Sequence, residues 1–102
     1  MNMEVEKLYD NKKFFLDEEL DKAYRDKGCN FTENRISLNL VRRWLRENKG
    51  IDINVYICKN ELPRKYYYDL FKNTEFKDAG WCCFDEYEEA LYYALRNALK
   101  YI

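Results

Sequence analysis

Four cysteines, two runs of carboxylates, a group of arginines and many aromatic rings are the side chains in this sequence that could do chemistry. A thiol becomes a nucleophile when a cation, a helix N-terminus or a base draws off its proton. Cys82 and Cys83 stand just before a predicted helix, but that helix opens on Asp85, Glu86, Glu88 and Glu89. Such charge raises a thiol pKa instead of lowering it. Zinc calls for knuckles of the CxxC kind, which are absent, and adjacent strand residues point to opposite faces. Cys29, Cys58, Cys82 and Cys83 are therefore expected as free thiols packed as small hydrophobes, with no metal.

The carboxylate runs are Asp17, Glu18, Glu19 and Asp21, and Asp85, Glu86, Glu88 and Glu89. Clustered carboxylates can bind divalent cations. Both runs, however, fall where helices should begin, and negative charge there is stabilising by a few tenths to about 1 kcal/mol. The sequence has no histidine, which removes the imidazole base, the imidazole ligand and the serine–histidine triad. Ser37 is the one serine, placed as a helix cap, and Gly28, Gly50 and Gly80 stand too far apart for a phosphate loop. The expectation is a protein that is not an enzyme, with no catalytic residue and no cofactor.

Two surface groups remain. Arg42, Arg43, Arg46 and Lys49 gather on one side of a predicted helix over 38–49, a candidate nucleic-acid contact or simply a solvated face. Tyr56, Tyr67, Phe71 and Trp81 are candidates for an aromatic protein-interaction face. Residues 1–16 offer an alternative, since they could cover that face and bury Phe14 and Phe15.

The elements that must hold these groups follow from spacing. Asp17 caps a first helix to Lys27, and Gly28 ends it. Ser37 caps the second, which buries Val41, Trp44 and Leu45, pairs Arg43 with Glu47 and stops at Gly50. Ile51 to Cys58 alternates strictly, which predicts a half-buried strand. Pairing Cys58 with Lys65 sets Ile57 against Tyr66, Val55 against Tyr68 and Ile53 against Leu70, with Tyr56 beside Tyr67 and Asn54 beside Asp69 outside. A one-residue slip would destroy that match. A polar turn over Asn73–Asp78 and a strand over Ala79–Phe84 follow. Asp85 then caps a last helix whose apolar face is Tyr87, Ala90, Leu91, Ala94, Leu95, Ala98 and Ile102. Residues 1–16 give no clear pattern.

The predicted fold is α+β in two layers: a three-stranded antiparallel meander with helices on one face, in the order helix, helix, strand, strand, strand, helix. The 102 residues suit one domain, with 37–102 as its central helix–sheet–helix unit. Charges nearly cancel, 18 basic against 19 acidic, so attraction to nucleic acid would have to come from a local patch. No signal-peptide pattern opens the chain and no apolar run is long enough to span a membrane. A cytoplasmic protein with no membrane association is the expectation.

The pieces Val41-Arg42-Arg43-Trp44-Leu45-Arg46-Glu47 and Tyr87-Glu88-Glu89-Ala90-Leu91, with Ile51–Val55 and Lys65–Tyr68 between them, resemble small proteins encoded in phages, prophages and other mobile elements of gut bacteria. The similarity covers about residues 37–102. It implies an accessory role for a mobile element, through a host or phage protein or a second copy of the chain, and lends no activity. The order helix, meander, helix is also similar to that of double-stranded-RNA-binding domains. Those domains hold phosphates with lysines where this chain has Asp85, Glu86, Glu88 and Glu89. From the sequence alone, a non-enzymatic interaction protein is favoured, with a nucleic-acid-binding module using helix 38–49 as the alternative.

Overall fold

The computed structural model describes residues 14–59 and 65–102, without the side chains of residues 81–83. Two helices, α1 (Glu18–Asp26) and α2 (Leu38–Lys49), precede strands β1 (Ile51–Ile57), β2 (Tyr66–Lys72) and β3 (Glu75–Phe84). Helix α3 (Tyr87–Ala98) follows and tightens into a 3₁₀ turn over Leu99–Tyr101. The fold is α+β, in the predicted order.

The caps are those the side chains call for. Asp17 Oδ1 accepts from the Leu20 N–H at 2.9 Å, and Ser37 Oγ accepts from that of Leu40 at 3.1 Å. Gly50 ends α2 with φ 64°, a left-handed conformation that glycine takes without Cβ strain. Ahead of α1, Phe15 bridges to Ser37, and Leu16 N–H donates to Ile36 O at 2.9 Å, so residues 14–16 lie beside the entry to α2.

The sheet has the order β1-β2-β3, antiparallel throughout. The β1–β2 register is the predicted one, from Ile57 opposite Tyr66 to Ile53 opposite Leu70. The predicted start of β3 is corrected. The turn is only Asn73 and Thr74, both at positive φ, and the strand begins at Glu75 instead of Ala79. Two register shifts interrupt β3, and Lys77 is the unpaired residue of one, between the pairs Leu70–Asp78 and Phe71–Phe76. The predicted cap of the last helix is corrected too. Glu86 occupies the cap position, where its side chain makes no cap hydrogen bond, while the Asp85 carboxylate pairs with Lys65.

Helix α3 lies across all three strands, and α2 packs on β1 and α3. The core between the layers holds Leu38, Val41, Leu45, Ile51, Ile53, Tyr68, Leu70, Leu91, Ala94 and Leu95, all buried. Helix α1 adds Leu20 and Tyr24, whose phenol donates to Leu95 O at 2.5 Å. Gly80 is needed beneath this layer, since a Cβ there would strike the Tyr68 ring and come within 2.9 Å of Phe84.

Candidate functional site

With the helices stacked on one side of the sheet, the residues that alternate with the core emerge on the other. Tyr56 and Tyr67 face each other across β1 and β2, their rings stacked at 5.0 Å and 24°. Four residues along β2, Phe71 meets Phe76 of β3 edge-on at 5.7 Å and 77°. Tyr56 and Phe76 are among the most exposed large apolar side chains, while Tyr67 and Phe71 are half-buried between their neighbours. Three of the four predicted interaction residues thus share one face. The fourth, Trp81, has its side chain outside the described residues. Of the alternative that residues 1–16 cover this face, residues 1–13 lie outside the described residues, while Phe14 is exposed and Phe15 bridges to Ser37 at the entry to α2.

Phe76 was missed, because Asn73–Asp78 reads as one polar turn. The usable signal was Asn73, a residue suited to a two-residue turn at positive φ. A shorter turn places Phe76 in a strand, opposite Phe71.

Between the aromatic pairs lies a polar band. Asp69 sits at the middle of β2, with Asn54 opposite on β1 and Ala79 opposite on β3. The other carboxylate of this face, Asp52, is held by Arg46 Nε at 2.9 Å.

The arginines of α2 form a second surface. Arg42, Arg43 and Arg46 line one shallow groove with Asn39 and Glu47. Lys49 does not join them, since its ammonium lies over the Trp44 ring at 5.6 Å. Much of the groove's charge is already matched: Arg43 pairs with Glu47 at 3.0 Å and Arg46 with Asp52. Arg42 instead donates to the Tyr87 phenol at 2.9 Å, and its buried Nε finds no acceptor among the described residues.

The thiols divide. Cys29 is free and fully buried, and its thiol is pushed up to about 11, chiefly by burial. Such a group stays protonated and unreactive near neutral pH. Cys58 corrects the expectation of a free thiol, for it is disulfide-bonded, with a partner outside the described residues. A disulfide needs two sulfurs that the fold brings within bonding reach, which spacing along the sequence does not show. Among the described residues no group of three His, Cys, Asp or Glu side chains could hold a metal ion. Nor is any described helix long and apolar enough to cross a membrane.

Compared with protein-family models, curated proteins and solved structures, the chain gives no significant match to any.

Proposed function

We propose that this is a non-enzymatic interaction protein that docks a protein partner on the outer face of its sheet, as an accessory of a phage or mobile element. One observation carries the docking surface: Tyr56, Tyr67, Phe71 and Phe76 form two ring pairs on the face opposite the helices. Aromatic rings on a rigid sheet supply large contact area at little entropic cost, which is why they dominate protein interfaces. The resemblance over residues 37–102 supplies the mobile-element setting.

A second reading keeps the alternative of a nucleic-acid module. The observation that favours it is the groove joining Arg42, Arg43 and Arg46, since guanidinium groups suit phosphate recognition. The ion pairs to Glu47 and Asp52 weigh against it, because a phosphate would have to compete with them.

Affinity capture from host lysate, with and without nuclease, tests both readings. A nuclease-resistant partner at stoichiometric yield, lost when Tyr56→Ser and Phe76→Ser are combined, is the expected result. Material that disappears on nuclease treatment and on Arg42→Gln with Arg46→Gln would transfer the function to the arginine groove.

A further inference from the structure

Among the described residues, the outer face carries one carboxylate with no compensating charge. Asp69 is half-buried and makes no ion pair or side-chain hydrogen bond among the described residues. Tyr67 and Phe71 lie two residues to either side on the same strand, so all three side chains project from one face, each ring about 7 Å along from the carboxylate. Across the sheet its neighbours are Asn54, which is neutral, and Ala79, which is too small to cover it. Among the described residues, Arg46 and the cations of β2 and β3 are engaged elsewhere. Arg46 is bound to Asp52, Lys72 to the Tyr101 carbonyl, and Lys77 to Glu75.

From this arrangement we infer that the centre of the outer face is an arginine-binding recess, filled by a basic side chain that a partner protein presents between apolar ones. The inference rests on the reading of this face as a docking surface and names the chemistry of the partner. A carboxylate between aromatic rings attracts a cation twice, by its own charge and by the negative ring faces. Guanidinium fits better than ammonium, since its plane stacks on a ring while its fork meets both carboxylate oxygens. The two ring pairs stand about 13 Å apart along β2, leaving room for one such side chain between two apolar contacts. An arginine there would set a matched charge against Asp69 in a partly desolvated setting.

Selection of a random twelve-residue display library on the full-length protein tests this directly. Enriched peptides should carry arginine, or less often lysine, between apolar residues. The affinity of the consensus peptide should fall about tenfold on Asp69→Asn, a change that preserves shape. Charge reversal by Asp69→Lys should turn the selection toward acidic peptides. If the consensus peptide is lost with Tyr56→Ser and Phe76→Ser but keeps its affinity within twofold on Asp69→Asn, the face docks partners and the arginine recess is wrong. If the wild-type protein enriches no peptide, or the enriched peptides ignore all of these substitutions, both the recess and the docking face are wrong.

Discussion

On the inner face of the sheet, Ile51, Ile53, Tyr68 and Leu70 lie beneath the helices, none more than 4% exposed. On the outer face, Tyr56 of β1 is 40% and Phe76 of β3 is 55% exposed. Alternation puts them on opposite sides, but it does not explain the difference in chemistry. The inner side is mainly aliphatic and interlocks with Leu91 and Leu95 from α3. The outer side carries paired aromatic rings, Tyr56 with Tyr67 and Phe71 with Phe76. Paired rings keep their geometry while remaining accessible. One face holds the fold together, and the other is the one proposed to offer contact area to a partner.

The largest expected effect falls on the inner face. Leu95 is fully buried in the middle of α3, and its backbone carbonyl accepts the Tyr24 hydroxyl. Leu95→Ala should cost about 2–5 kcal/mol, read from urea unfolding. A loss below about 0.5 kcal/mol would show that α3 is not docked on the sheet and would erase the contrast.

A second effect sharpens the same side through ionisation. The Cys29 thiol is raised from an ordinary 9.0 to about 11, by burial first, with Arg25 opposing and Asp21 adding. The unfolded chain therefore ionises before the folded one does. Stability from this group is whole below pH 9 and is lost as pH rises through about 11. The expected loss over that window is about 2–3 kcal/mol. Tyr24, held protonated by burial and by the charge of Cys29, acts in the same direction. Cys29→Ala should lose correspondingly less across the window, while a parallel decline in the variant and the wild type would remove the thiol from the account.

How much of this was legible depended on the kind of signal. Ile51 to Ile57 alternates without interruption and its partner strand is aromatic at matching positions, so the register of β1 on β2 could be read. Asp17, Ser37 and Gly50 announced the helix ends because capping is a local property. The β2–β3 turn was misread because Asn73 to Asp78 is polar apart from Phe76, and a bulge at Lys77 breaks the alternation that marks a strand. Asp85 was a poor guide because Lys65, twenty residues away, claims its carboxylate. The site shows the same division. Local spacing grouped the arginines and the aromatic rings, but the removal of Lys49 to Trp44 and the isolation of Asp69 depend on neighbours brought in by the fold.

The smallest expected effect is on the outer face, and there smallness is the result that matters. Tyr56 loses one stacked contact when replaced by serine, and Phe76 loses one edge-on contact. Ring pairs of this kind are worth about 0.5–1.5 kcal/mol, and removing an exposed apolar ring returns part of that by sparing its hydration. Each replacement should therefore cost less than about 1 kcal/mol. Together they should add, since the two pairs share no ring and sit at opposite ends of the β2 face. Urea unfolding of Tyr56→Ser, Phe76→Ser and the double variant gives the three values needed. A cost above about 2 kcal/mol at either site would mean that the ring is packed like Leu95, beneath some other part of the chain. The outer face would then be a second core, with no free surface on which a partner could dock.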